Sequence, residues 1–182
     1  MITILRNWKQ ALSRALTPVI RDERMPKIPR TAVGMPVISH RQTTSYDCGG
    51  TVVFTALCTK CMNRGQPIPP PVFYQAVKAV VKPHPVWGAE FDQVERGLKY
   101  FGLRFEHKLF RRPVLRKSLA DGCVALVCIP WDEVYHWVVL SAMRNSNNKT
   151  LVANLPYEKS WQWQEWEDFR PKSIDDMLVV RM

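Results

Sequence analysis

Hydrophobic periodicity changes once along these 182 residues, and that change limits the folds open to the chain. Up to Gly102 apolar side chains recur at helical spacing: Val52, Val53, Ala56 and Leu57 between Gly49 and Met62, PVFYQAVKAVV between Pro71 and Val81, then Phe91, Val94, Leu98 and Phe101. Pro83 ends the second of these helices, and Gly102 falls where a left-handed C-terminal cap belongs. Beyond it LRFEHKLF, CVALVCI, HWVVLSA, TLVAN and IDDMLVVRM read as strands, with one short helix, RPVLRKSLADG, among them. Helices first and antiparallel strands second predict an α+β domain, its helical part packed on a small antiparallel sheet.

The N-terminal stretch is different in kind. Ile4, Leu5, Trp8, Leu12, Leu16, Val19 and Ile20 repeat at helical spacing with basic residues between them, until MPKIPR interrupts with two prolines. This predicts a basic amphipathic helix and an extended linker over residues 1–36, followed by the main domain over 37–182. Three uses are open to it: docking on the domain, binding a partner or a membrane surface, or serving as a detachable leader. Residues 1–34 hold seven Lys or Arg against Asp22 and Glu23, half of the net charge of +10. With no nucleic-acid-binding motif downstream, a solvated basic surface is the simpler reading, and no specific nucleic acid is expected.

No apolar run approaches the roughly 18 residues of a membrane span. Five cysteines without regular spacing, in a chain with no secretion signal, predict reduced thiols in a cytoplasmic setting. The compact size suggests a stand-alone factor, such as an effector acting inside a host cell. Cys58 and Cys61 fall in a helix and Cys123 and Cys128 in a strand, so neither pair predicts a metal site, and no cofactor is expected.

The stretch QTTSYDCGG, Gln42 to Gly50, joins the linker to the first helix of the domain. It sets Cys48 at a helix N-terminus, where unpaired amides and aligned peptide dipoles favour a thiolate. A nucleophilic thiol also needs an imidazole and a group to orient it. Of the four histidines, His40 lies on the leader side, His84 between prolines and His107 among charged residues. His136 opens the apolar strand HWVVL. A turn centred near Asn145 or Ser146 would set Asn154 opposite it, its side-chain oxygen placed to accept the ring N–H.

These residues carry a resemblance. Q-T-T-S-Y-D-C-G-G resembles the Gln-x5-Cys motif of papain-like cysteine peptidases, and in particular the Q-x4-D-C-G form of the bacteriocin-processing, double-glycine-leader peptidases. H-W-V-V-L followed by L-V-A-N-L-P is similar to that family's His-containing strand and later Asp-Pro element, with Asn154-Leu155-Pro156 in place of Asp-Pro. The resemblance spans about residues 38–160. It implies a papain-like fold acting on a protein or peptide substrate. Cys48 would be nucleophile, His136 general base and acid, Asn154 the orienting residue, and Gln42, with the Cys48 amide, the oxyanion hole. Two other functions fit the same residues: Cys–His acyl transfer or transglutamination, and a catalytically silent module that binds a protein partner.

Overall fold

The computed structural model describes residues 20–21, 25–42, 44, 46–85, 88–131, 134–145, 149–154, 161–169 and 176–182. In chain order these form β1 (Ile20–Arg21), β2 (Ala32–Gly34), β3 (His40–Arg41), α1 (Cys48–Asn63), a 3-10 turn (Pro71–Phe73) running into α2 (Tyr74–Val81), and α3 (Phe91–Tyr100). There follow β4 (Phe105–Leu109), α4 (Arg112–Ala120), β5 (Cys123–Trp131), β6 (Val134–Arg144), β7 (Lys149–Ala153), β8 (Trp161–Glu165), a second 3-10 turn (Trp166–Phe169) and β9 (Asp176–Arg181). The α+β class stands. The sheet has seven strands in the order β4-β9-β5-β6-β7-β8, with β2 added against β6, and the pairings are antiparallel.

Strand alternation sends successive side chains to opposite faces, and both faces are covered. On one, Val124, Leu126, Trp137, Val139, Ala153, Leu178 and Val180 pack with Val52, Val53 and Phe54 of α1, Val77 and Val81 of α2, and Val94 and Leu98 of α3. On the other, Ala125, Val127, Ile129, Val138, Leu140 and Val179 meet Leu115 and Leu119 of α4. The short helix inside the strand-rich half thus supplies a third layer. Its position follows from its place in the chain, between an edge strand and a central one.

Helix ends follow local chemistry. Pro71 opens the 3-10 turn, where its missing N–H costs nothing. α2 stops at Lys82, in the left-handed region at φ 52°, just ahead of Pro83. Gly102, at φ 67°, follows α3. None of the described helices is long and apolar enough to cross a membrane.

The expected N-terminal amphipathic helix lies outside the described residues, except that Ile20 stands in β1, paired with Arg41 of β3. Residues 32–34, in the stretch read as linker, hydrogen-bond to β6. From there Val37, Ile38, Ser39 and His40 run buried beneath α1. The His40 ring lies 4.5 Å from that of Phe54, and its Nδ1 is 3.3 Å from the Thr55 hydroxyl. This buried run delivers the chain to Gln42 and then to Cys48.

Gly34 permits the crossing onto β6. Its φ is 112°, and a Cβ there would lie 2.2 Å from the Ser141 carbonyl oxygen. Gly34→Ala is expected to lower the unfolding free energy by about 3 kcal/mol, from steric overlap and backbone strain together, as read by urea denaturation.

Candidate active site

Cys48 is the first residue of α1 and is buried. The residues after it must be small, because a Cβ on Gly49 would lie 2.3 Å from the Ala89 Cβ and one on Gly50 would lie 3.1 Å from the Tyr74 hydroxyl. These two contacts let α1 bring its N-terminus close to the loop before α3 and to α2. Gly88, at φ 76°, borders the sulfur, since a Cβ at that position would be 3.8 Å from it.

His136 and Asn154 are both buried. The ring Nε2 of His136 lies 2.7 Å from the backbone carbonyl oxygen of Asn154. A carbonyl only accepts, so Nε2 carries the proton and the neutral ring keeps its lone pair on Nδ1. The Asn154 side chain is turned elsewhere. Its amide nitrogen donates to the Trp137 carbonyl at 2.7 Å and to the Cys48 carbonyl at 3.3 Å, and its side-chain oxygen is buried without a hydrogen-bond partner among the described residues.

The acceptor for the imidazole is therefore main chain, where a side-chain oxygen was expected. The reason lies in register. β6 and β7 pair Met143 with Thr150 and Val139 with Ala153, with a slip between Leu140 and Ala142. Continued one step, that register sets Asn154 opposite Val138, two residues from the expected partner. Asn154 then takes φ 62°, a conformation that asparagine tolerates better than most residues, and its carbonyl serves the diagonal neighbour His136.

Cys48, His136 and Asn154 are thus gathered around the end of β7. Gln42 is different. It follows β3, is half-buried, and its side-chain oxygen is buried and accepts no hydrogen bond from the described residues. Among the described residues no hydrogen bond ties it to the other three.

The electrostatics pull in opposing directions. Burial raises the Cys48 thiol above an ordinary cysteine. The backbone amides of Trp137, Gly49 and Cys48 itself draw it down, and the adjacent Asp47 carboxylate adds to the rise. Burial lowers the His136 ring, and its bond to the Asn154 carbonyl opposes that. On β5, Cys128 pairs across the sheet with Trp137, and burial, aided by Cys48, pushes its thiol up to about 12.

Three contributors were not legible as site residues. The Trp137 amide helps to draw the thiol down, while its indole N–H donates to the Ala89 carbonyl at 2.7 Å and anchors the loop after Gly88. Asp47 is buried and paired with Lys78 of α2 at 2.8 Å. The Tyr74 hydroxyl donates to the Asp47 carbonyl at 3.2 Å. A carboxylate directly before the cysteine was the available signal, since a charge at that junction requires a partner. Nothing in the sequence pointed to Lys78 as that partner. His84, His107 and His40 lie apart from Asn154: His84 bridges to Gly88, His107 meets Glu95 at 2.7 Å, and His40 packs under α1.

No protein-family model matches the chain, and no curated protein matches it in sequence. Solved structures do match in shape. The peptidase domain of Streptococcus ComA, a bifunctional ABC transporter of a quorum-sensing pathway, superposes with a TM-score of 0.56 at 12% identity, over 78% of this chain and 96% of that one. A double-glycine-motif protease from an AMS/PCAT transporter, in complex with its leader peptide, gives 0.58 at 14% identity over 88% and 100%. Xylellain, a cysteine protease from Xylella fastidiosa, gives 0.50 at 10% over 92% and 91%. These likenesses establish that the chain has the papain-like cysteine-peptidase fold.

Asn154→Asp puts a carboxyl against the Cys48 and Trp137 carbonyl oxygens, where only its protonated form can donate. The folded-state pKa of that carboxyl is expected to lie above its unfolded value, so the native state binds the extra proton and stability falls as pH rises. Chemical denaturation from about pH 4 to 7 should show the variant losing stability more steeply than wild type.

Proposed function

We propose that this chain is a cysteine peptidase that hydrolyses a peptide bond in a protein or peptide. The observation that carries the reading is the pairing at the end of β7. His136 is held through Nε2 by the Asn154 carbonyl, and the side-chain amide of the same Asn154 donates to the Cys48 carbonyl.

In this reading Nδ1 of His136 takes the thiol proton as the sulfur attacks the scissile carbonyl. Negative charge then develops on the substrate oxygen and is met by the Cys48 amide and the Gln42 side-chain amide. The imidazolium passes its proton to the departing amine, which leaves the acyl group as a thioester on Cys48. The same ring deprotonates a water molecule, and hydroxide attack releases the acid and restores the thiol. Asn154 serves by its carbonyl, which fixes the tautomer, and by its side-chain amide, which ties Cys48 to β6. The leader peptide bound by the AMS/PCAT protease supports a peptide as the kind of substrate this fold accepts.

A second reading is a papain-fold module that binds a protein without cleaving it. The observation favouring it is the Asn154 side chain, which is turned to the Cys48 and Trp137 carbonyls and leaves the imidazole to the main chain. Comparing new protein N-termini in cells carrying wild type or Cys48→Ala separates the two. Termini that appear only with wild type support the peptidase, and identical sets with an unchanged biological effect support the binding module.

With a cleaved peptide in hand, Gln42→Ala is expected to lower kcat by about 100- to 1,000-fold with little change in KM, the signature of a lost oxyanion donor. Because burial lowers the His136 ring, its neutral base form persists to lower pH than usual. The acidic limb of the kcat/KM profile is expected below about pH 6.5, the ordinary imidazole midpoint.

A further inference from the structure

Asp47 holds the N-cap position of α1, where an aspartate ordinarily turns its carboxylate back to accept hydrogen bonds from the second or third helical amide. No such bond forms here. The carboxylate is instead directed to α2, its Oδ1 lying 2.8 Å from the Lys78 Nζ, and the Asp47 side chain is only 1% exposed. Tyr74 stands four residues before Lys78, so the two share a helical face. Its hydroxyl takes the other handle of the same residue, donating to the Asp47 carbonyl at 3.2 Å. That carbonyl also receives the Thr51 amide at 2.9 Å and the Thr51 hydroxyl at 3.0 Å. The Lys78 ammonium lies 5.3 Å from the centre of the Tyr46 ring. Asp47 is fixed from several directions, and its charged end points away from the helix it caps.

The amides this leaves uncapped include those that matter. The Cys48 and Gly49 N–H groups stand beside the sulfur and draw the thiol down. A carboxylate swung back to the N-cap geometry would compete for the Gly49 amide and bring an unneutralised negative charge to the nucleophile.

We propose that Lys78 is a positioning residue for the Cys48 site: its ammonium holds the Asp47 carboxylate off the N-terminus of α1, so that no second negative charge competes for the first-turn amides beside Cys48. Its relevance to turnover rests on the peptidase reading. Its effect on the thiol does not.

Among the described residues, the titratable groups that bear on Cys48 include Asp47 at its own helix start, Tyr74 of α2 with Lys78 behind Asp47, and Cys128 of β5. His136 of β6 is bound to Asn154, whose side chain holds the Cys48 carbonyl, His84 bridges to Gly88, which borders the sulfur, and Glu90, at the start of α3, is exposed.

The test is the pH profile of Cys48 alkylation by iodoacetamide, read by mass spectrometry on the Cys48 peptide, for wild type, Lys78→Met, Lys78→Arg, Asp47→Asn and the double variant Asp47→Asn/Lys78→Met. The midpoint is expected to rise by about one pH unit in Lys78→Met, a neighbouring uncompensated charge being worth about that much. It should stay near wild type in Lys78→Arg, and the double variant should match Asp47→Asn, because Lys78 acts only through the carboxylate. A folded Lys78→Met protein with the wild-type midpoint overturns the proposal. Should Lys78→Met fail to fold by circular dichroism, the Asp47→Asn pair decides: equal midpoints support the proposal, and a higher midpoint in the double variant overturns it. A moved midpoint in a protein that cleaves nothing supports the role of Lys78 and counts against the peptidase, whereas an unmoved one in an active protein overturns the role of Lys78 alone.

Discussion

The side chain of Asn154 joins two parts of the chain 106 residues apart, and the geometry around Cys48 depends on that junction. Its amide nitrogen holds the carbonyls of Cys48 and Trp137, so the start of α1 is tied to the strand that bears the histidine. Its own carbonyl holds the imidazole. All of this happens in a fully buried residue, where a satisfied hydrogen bond is strengthened by the low dielectric and an unsatisfied one is costly. One residue in a left-handed conformation therefore ties the start of α1 to β6 and fixes the tautomer of the His136 ring. The layers themselves come from ordinary apolar burial on two faces of a sheet.

Much of the fold was legible because periodicity is a local property. The stretch after QTTSYDCGG becomes α1, and FDQVERGLKY becomes α3 with Gly102 beyond it. RPVLRKSLA becomes α4 ahead of Gly122, and CVALVCI, HWVVLSA and DMLVVR become adjoining central strands. What escaped was pairing over long range. β2 joins β6 from a stretch whose prolines and basic residues carry no strand pattern, and β1 with β3 is too short to show one. The register of β7 against β6 shifts at Leu140 and Ala142, and no residue there announces it.

The site was legible to the same extent. A cysteine at a helix start and a histidine opening an apolar strand are features of spacing and type. The contact of His136 with residue 154 was the right neighbour reached through another atom, since turn chemistry indicates where strands meet but not which oxygen faces the ring. The Lys78–Asp47 pair lies on two helices joined by a proline-rich loop, and only packing brings it together. Gly88 and the Trp137 amide act through backbone, which sequence type does not display.

On the proposed peptidase reading, Cys48 is singled out by its surroundings, not by its exposure. Cys61 and Cys123 are more exposed than Cys48, so a thiol reagent governed by access alone would reach them first. The most direct measurement is intact-protein and peptide mass spectrometry after brief treatment with a peptidyl epoxide, which reacts with a thiol assisted by an imidazole. A single adduct on Cys48 that disappears in His136→Ala is the predicted result. Adducts on Cys61 or Cys123 with Cys48 unmodified in the wild type would contradict it.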